Sequence, residues 1–182
     1  TPLISVGVLC YNHVRFIAQC LDSVRVQKGD FRLRIVIVDD CSTDGTSECI
    51  QQLISKWSTD GEISIEYIRN EQNMGMVASF AELIGEMKGS DYFSLCDGDD
   101  YYSSSDRLAE HLQLHRLHPE TAISFNRVKI IHEGEEGEVL WSPGEQHSDF
   151  CTETLIAENF VGNLSAGFYC SSVLNHLHPN LF

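Results

Sequence analysis

The chain has 182 residues, of which 42% are hydrophobic and 21% charged, a composition typical of a globular domain. Its 12 basic and 27 acidic residues give a formal net charge of −15, which argues against a nucleic-acid-binding surface and against electrostatic docking to anionic lipid. The sequence contains no apolar run of the roughly 18 residues that span a membrane. The seven cysteines include no C-x-x-C pair, which favours a reducing, cytoplasmic compartment.

Apolar runs and helical spacings alternate along the first 120 residues. We predict strands over 4–9, 34–38, 63–68 and 92–96, and helices over 14–27, 46–57, 75–87 and 106–117. The strands read as continuous apolar runs, which is typical of strands buried on both faces. The β-α-β-α-β-α-β order therefore predicts an α/β fold, with a Rossmann-like, mostly parallel sheet and helices on both faces.

The pattern changes after residue 120. Strands are expected over 122–125 and 128–131, an exposed acidic turn over 133–138 and a helix over 152–159. The chain contains no internal repeat, low-complexity tract or linker, so we expect a single domain.

Three carboxylates follow directly after the predicted strand 92–96, at Asp97, Asp99 and Asp100. Carboxylates at this spacing repel one another, and a hard divalent cation such as Mg²⁺ or Mn²⁺ converts that repulsion into binding. The carboxyl end of a buried strand is also where open α/β sheets bind ligands. The cluster therefore predicts a cation site open to water and substrate phosphates, with an acidic turn or helix cap as the structural alternative.

Two other predicted strands also end in polar residues. Tyr11 and Asn12 follow the first strand, and Asp39 and Asp40 end the second. The carboxyl ends of parallel strands share one rim of the sheet, so we expect these residues to meet the acidic cluster at one crevice. An aromatic ring beside a carboxylate suits a nucleobase, and helix N-termini suit a phosphate. The absence of G-x-G-x-x-G and Walker A patterns counts against dinucleotide and P-loop chemistry.

Three histidines and one sequon need separate interpretations. His111 and His115 lie four positions apart on a predicted helix, a spacing that could bind zinc. No third ligand follows at a fixed offset, so a partly exposed helix face is favoured. His13 lies either at the crevice rim or in an exposed loop. The segment 163–165 matches the glycosylation pattern, but so short a pattern is frequent by chance and the thiols argue against secretion.

Four segments, in this order, resemble glycosyltransferase family 2, whose members are inverting nucleotide-sugar transferases with the GT-A fold. They are the opening strand and Tyr-Asn turn at 5–12, the Asp-Asp segment at 36–46, the segment 70–75 and the D-x-D motif at 95–100, followed by Asp-Arg-Leu at 106–108. The resemblance covers residues 3–120 strongly. It implies a GT-A domain over 1–182, with a donor-binding half over 1–120 and, over 121–182, the start of an acceptor half that continues further.

The resemblance also implies roles for individual residues. Those expected to bind the nucleotide are Leu9, Tyr11, Asn12, Asp39, Asp40 and Asp97. Within this set Tyr11 would stack near the base, Asp40 would bind the edge of a uracil-type ring with Asp39 in support, and Asp97 would contact the ribose or sugar.

The resemblance assigns the metal to the other two carboxylates of the cluster. Asp99 and Asp100 would hold Mn²⁺ or Mg²⁺, and the cation would bridge the diphosphate. The family's catalytic base lies in a later Glu-Asp motif. No such pair follows His176, so we expect the base beyond Phe182.

The implied activity is metal-dependent transfer of a sugar from a UDP-type donor to a hydroxyl of a glycan or lipid-linked acceptor. The implied setting is surface polysaccharide synthesis in the cytoplasm, including the inner face of the membrane. One alternative, a sugar nucleotidyltransferase, would carry a Gly-rich basic loop after the first strand, where this chain has 9–13 with only Arg15 nearby. The other alternative is a non-catalytic nucleotide-sugar-binding or scaffold module that keeps the fold without the base.

Overall fold

The computed structural model describes residues 1–57, 63–131, 138–141 and 163–176. The α-helices are α1 Ile17–Arg25, α2 Thr46–Lys56, α3 Met76–Glu86 and α4 Arg107–Leu117. The strands are β1 Leu3–Cys10, β2 Arg32–Asp39, β3 Ile63–Arg69, β4 Tyr92–Asp97, β5 Ile123–Phe125, β6 Val128–Ile131, β7 Glu138–Trp141 and β8 Gly167–Cys170. Two 3-10 helices, Leu164–Ala166 and Ser171–His176, flank β8.

The elements predicted over the first 131 residues all form, with ends that differ by a few residues. The helix predicted over 152–159 and the part of the acidic turn over 133–137 lie outside the described residues. Within the described ranges, no helix is long and apolar enough to cross a membrane.

Six strands of the described ranges form one sheet in the order β3-β2-β1-β4-β8-β5. The first four of these are parallel, and β8 runs antiparallel to both β4 and β5. The strands β6 and β7 pair as a separate antiparallel sheet. The mostly parallel α/β sheet is confirmed, whereas the sequence pattern did not indicate the position of β8 beside β4.

Helices cover both faces of the parallel strands, as predicted. Side chains alternate between the faces of a strand, so β2 contributes Ile35 and Ile37 to one core and Val36 and Val38 to the other. The first core also holds α1, α2 and α4, and the second holds α3 with the 3-10 helix after β8. Both faces of β2 are therefore buried along 35–38, which explains the continuous apolar run there.

The register of the parallel strands brings three strand ends to one edge. Leu9 on β1 pairs with Asp97 on β4, and Cys10 pairs with Asp39 on β2. Because β1 lies between β2 and β4, the turn after β1 separates the two acidic segments. A crevice at the carboxyl ends, beside the strand where the order reverses, is the usual ligand position in such sheets.

Candidate functional site

The turn after β1 is tied to the loop after β2. Asn12 has a φ of 57°, in the left-handed region that Asn tolerates better than most residues. Its N–H donates to Ser42 Oγ at 2.9 Å, and its Oδ1 accepts from the Thr43 N–H at 2.8 Å. The side chain of the preceding residue, Tyr11, is 44% exposed. The turn is thus held rigidly while the ring of Tyr11 stays open to a ligand.

Asp39, at the end of β2, is fully buried and surrounded by hydrogen-bond donors. Its Oδ1 accepts from the Ser42 N–H at 2.9 Å, and its Oδ2 accepts from the hydroxyls of Ser47 and Tyr67. The Arg69 guanidinium lies 3.8 Å from Oδ2. Burial and the neighbouring carboxylate raise the pKa of Tyr67 to about 12, so its hydroxyl stays a donor. Both oxygens of Asp39 are therefore used in holding the loop together.

Asp40 binds the segment that leads into α3. Its Oδ1 accepts from the Met74 N–H at 2.7 Å and the Asn70 amide at 3.0 Å, and its Oδ2 accepts from the Gly75 N–H at 2.9 Å. Burial by itself would raise the pKa of Asp40, but these hydrogen bonds and Ser79 outweigh it and hold the pKa below its ordinary value. A carboxylate oxygen can accept two hydrogen bonds, so Oδ2 keeps capacity for one more donor.

The acidic turn, residues 97–100, is folded tightly against the end of β1. The Asp100 N–H donates to the Asp97 carbonyl at 2.8 Å, and the Gly98 N–H donates to the Leu9 carbonyl at 2.8 Å. A Cβ on Gly98 would lie only 2.7 Å from His13 Nδ1. Glycine is required at this position because β1 and the turn approach so closely, and His13 lies at the crevice rather than in an open loop.

The three carboxylates of the acidic turn have different surroundings. Asp97 is half-buried, and burial together with Asp100 and Asp99 raises its pKa to about 6. Asp99 is exposed and has no side-chain hydrogen bond or ion pair within the described part of the chain. Asp100 is half-buried and accepts at Oδ2 from Asn163 at 2.8 Å and from Ser165 at 2.6 Å. Unrelieved repulsion is thus concentrated at Asp97 and Asp99.

The acidic turn fits a divalent cation with few protein ligands. Among the described residues, no group of three or more His, Cys, Asp or Glu side chains is placed to hold a metal ion. Asp99 and the Oδ1 of Asp100, which no described residue hydrogen-bonds, offer two oxygen ligands. Mg²⁺ and Mn²⁺ suit such a set, because they bind through one or two carboxylates and complete their coordination with water and phosphate oxygens.

The two histidines of α4 belong to the core. His111 and His115 are 7% and 3% exposed, so the expected partly exposed helix face is wrong. Both rings contact Phe168 of β8 and share the Ser124 hydroxyl, at 2.7 Å and 3.0 Å. Burial and Arg107 lower the pKa of His111 to about 4, which keeps the ring neutral. The β5 and β8 strands, distant in sequence, bury this helix face.

Three polar residues of the site were given no role from the sequence. Asn163 and Ser165 hydrogen-bond Asp100, and Arg107 donates to the Ser165 carbonyl at 3.0 Å. From the sequence, the segment 163–165 is only a chance match to the glycosylation pattern, and Arg107 is only part of a family motif. No periodicity or spacing within one sequence could have linked residues 63 positions apart.

Comparisons with known proteins show the family and the fold of the chain. Residues 5–170 match the family model described as Glycosyl transferase family 2. The putative teichuronic acid biosynthesis glycosyltransferase TuaG of Bacillus subtilis is 32% identical over 130 residues, which cover 71% of this chain and 48% of TuaG.

Two solved structures share the fold. S. aureus TarS, crystallised with UDP, superposes with a TM-score of 0.69 at 19% identity over 95% of this chain and 48% of that one. The mannosyltransferase PcManGT of Pyrobaculum calidifontis, in complex with GDP-Man and Mn²⁺, has a TM-score of 0.58 at 22% identity over 67% and 34% of the two chains. The chain spans about half the length of the curated relatives it matches.

Proposed function

The chain belongs to glycosyltransferase family 2 and has the GT-A fold, and we propose that it binds the donor of an inverting sugar transfer. The donor is a nucleoside-diphosphate sugar, of the UDP type, and the acceptor is a hydroxyl. One observation carries this proposal: the exposed carboxylate of Asp99, which has no hydrogen bond or ion pair within the described residues, shares a rim with the exposed ring of Tyr11. The carboxylates of Asp39, Asp40 and Asp100 at that rim accept hydrogen bonds from the fold.

The nucleoside is assigned to the ends of β1 and β2, within the donor-binding half over 1–120. The Tyr11 ring stacks on the base, and Asp40 Oδ2 accepts from an N–H of the ring edge. Leu9 and Asn12 line the site beside the base, and the hydrogen bonds of Asp39 stabilise the loop after β2. The hydrogen bonds already made by Asp39 and Asp40 favour a rigid, pre-formed base site, which avoids the entropic cost of ordering a loop upon binding.

The diphosphate and sugar are assigned to the acidic turn. Asp99 and Asp100 hold a divalent cation, Mn²⁺ or Mg²⁺, and Asp97 contacts the ribose or sugar. When bound there, such a cation would supply positive charge to offset the negative charge of the nucleoside diphosphate. The chain's charge of −15 adds to the need for such a cation, since an anionic donor otherwise meets an acidic domain. The Mn²⁺ in the complex of PcManGT, which shares this fold, is consistent with the assignment.

In the proposed reaction the acceptor hydroxyl attacks the anomeric carbon directly and the nucleoside diphosphate leaves from the opposite face, which inverts the configuration. A general base takes the hydroxyl proton. We propose a glycan or lipid-linked acceptor and a role in surface polysaccharide synthesis, a setting that the name of TuaG supports. A cytoplasmic site of action, including the inner face of the membrane, is consistent with the six cysteines of the described segments, which are free thiols.

Calorimetric titration with UDP, with and without Mn²⁺, tests the proposal. We expect Mn²⁺ to strengthen UDP binding on the order of tenfold or more, a usual size for coupling between two ligands. Asp99→Asn should remove this enhancement and leave the weaker, metal-free binding unchanged. Asp22→Asn is the matched control, because Asp22 is an exposed aspartate on α1.

Two results would contradict the proposal. UDP affinity that is the same with and without Mn²⁺ in the wild-type protein would remove the metal role. If UDP binds neither with nor without Mn²⁺, the assignment of a UDP-type donor is wrong.

A further inference from the structure

The hydroxyl of Ser165 joins the two ends of the acidic turn. Ser165 Oγ donates to Asp100 Oδ2 at 2.6 Å and accepts from the Asp97 N–H at 3.0 Å. One side chain from the 3-10 helix before β8 thus contacts the backbone where the turn begins and the carboxylate where it ends. The antiparallel pairing of β8 with β4 brings Ser165 to this edge of the sheet.

Asn163, at the start of the same 3-10 helix, also hydrogen-bonds Asp100. Its amide nitrogen donates to Asp100 Oδ2 at 2.8 Å, while its Oδ1 accepts from the Ser165 N–H at 2.8 Å. Asn163 is the N-cap of the short helix, so a single side chain both begins the helix and binds the carboxylate. Two donors on one oxygen hold the Asp100 carboxylate in one orientation, with Oδ1 left for another partner.

Arg107 anchors the helix that carries these donors. It is 6% exposed and donates through Nη2 to the carbonyls of Ser165 and Gly167, at 3.0 Å and 3.2 Å. Its other described acceptors are Ser94 Oγ and Asn126 Oδ1, which are neutral as well. Arg107 therefore links the backbone of the short helix to Ser94 of β4 and to Asn126, which keeps Ser165 beside the acidic turn.

We propose that Asn163 and Ser165 are positioning residues that orient Asp100 toward the divalent cation, with Arg107 holding them in place. The inference rests on the proposed function, since it concerns the cation assigned to Asp99 and Asp100. Metal-binding carboxylates are commonly fixed by hydrogen bonds to a second layer of residues, and loss of such a partner costs about 10–100-fold in metal affinity. The same loss is expected here, because a freely rotating Asp100 must be ordered again whenever the metal binds.

The test measures Mn²⁺ binding to the purified protein in the presence of UDP, from the electron paramagnetic resonance signal of free Mn²⁺. Ser165→Ala should weaken Mn²⁺ binding about 10–100-fold, whereas Ser165→Thr, which keeps the hydroxyl, should restore most of it. Leu164→Ala is the matched control, since Leu164 is 45% exposed in the same short helix. UDP binding in the presence of EDTA should be equal in all four proteins.

Asn163→Ser isolates the contribution of a single hydrogen bond and carries the test if Ser165→Ala does not fold. Serine is also a good N-cap, so the 3-10 helix is kept, but its side chain is too short to reach Asp100. This variant should likewise lose Mn²⁺ affinity without losing metal-free UDP binding.

The possible failures are distinguishable. Wild-type Mn²⁺ affinity in both Ser165→Ala and Asn163→Ser, or an equal loss in Leu164→Ala, overturns this inference and leaves the proposed function standing. A wild-type protein that binds UDP but no Mn²⁺ overturns both the metal role and this inference.

Discussion

Two groups of aspartates lie at the same edge of the sheet, on either side of the turn after β1. They differ in burial and in the hydrogen bonds that they accept. Asp39 and Asp40, at the end of β2, are buried and accept hydrogen bonds at every carboxylate oxygen. The acidic turn at the end of β4 leaves Asp99 exposed and raises the pKa of Asp97 to about 6. The first group stabilises the fold, and the second retains repulsion that a cation can relieve.

The comparison shows that the role of a strand-end aspartate depends on the donors that surround it. A carboxylate that accepts several hydrogen bonds contributes to stability through them, and removing it leaves its donors without partners. A carboxylate without donors contributes little to stability, so its charge remains available to a ligand. Substitutions in the two groups should therefore separate loss of stability from loss of metal binding.

The largest effect on stability is expected from Asp39→Ala. The substitution leaves the Ser42 N–H and the hydroxyls of Ser47 and Tyr67 without their acceptor in a buried site. We expect the free energy of unfolding to fall by about 3 kcal/mol or more, since each buried donor left unpaired costs about 1–3 kcal/mol. Urea denaturation followed by circular dichroism measures the change. A loss below about 1 kcal/mol would show that the hydrogen bonds of Asp39 do not support the fold.

The next largest effect is a loss of stability at low pH. It arises from His111, which packs behind the acidic turn. His111 shares the Asn126 side chain with Arg107 and has a pKa lowered to about 4 from 6.5. The unfolded chain therefore binds the proton more tightly than the folded chain. The contribution of His111 is fully present above pH 6.5 and is lost as the pH falls toward 4, by about 3 kcal/mol at roughly 1.4 kcal/mol per unit of pKa shift.

Denaturation of the wild-type protein and of His111→Gln between pH 7 and 4 measures this contribution. Glutamine stays neutral over the range, so the variant should lose less stability than the wild type as the pH falls. If the free energy of unfolding falls equally with pH in the two proteins, the folded protein tolerates a charged His111.

A smaller loss is expected from Asp40→Asn. The amide keeps one acceptor oxygen for Asn70 and Met74, but its NH₂ group faces the Gly75 N–H. The free energy of unfolding should fall by about 1.5–3 kcal/mol, the usual contribution of a hydrogen bond to a charged group. Hydrogen exchange at the Met74 and Gly75 amides should accelerate in the variant. Unchanged exchange at both amides would contradict the role of Asp40 in holding the segment before α3.

The smallest effect on stability is expected from Asp99→Asn. The side chain is exposed and has no described protein partner, so the free energy of unfolding should stay within about 0.5 kcal/mol of the wild type. The pKa of Asp97 should fall below its wild-type value of about 6, because Asp99 is one of the charges that raise it. Carbon-detected NMR titration measures that pKa. A stability loss as large as that of Asp40→Asn would remove the contrast between the two groups.

Much of this site can be located from the sequence because the relevant signals are local. The apolar runs that end at Asp39 and Asp97 predicted strands that end there, and the sheet brings both ends to one rim with Tyr11. Interpretation failed where partners are distant. The spacing of His111 and His115 was the same for an exposed face and a buried one, and only packing against β8 decides between them.

By itself, the sequence determined the α/β class, the order of elements along the first 131 residues and the positions of the acidic segments, because hydrophobic periodicity and turn chemistry act over a few residues. The tertiary structure alone decided which aspartates accept hydrogen bonds from the fold and which are exposed with no partner among the described residues. That difference depends on donors such as Tyr67, 28 positions from Asp39, and Asn163, 63 positions from Asp100. Such contacts follow from strand order and register, which a local pattern does not encode.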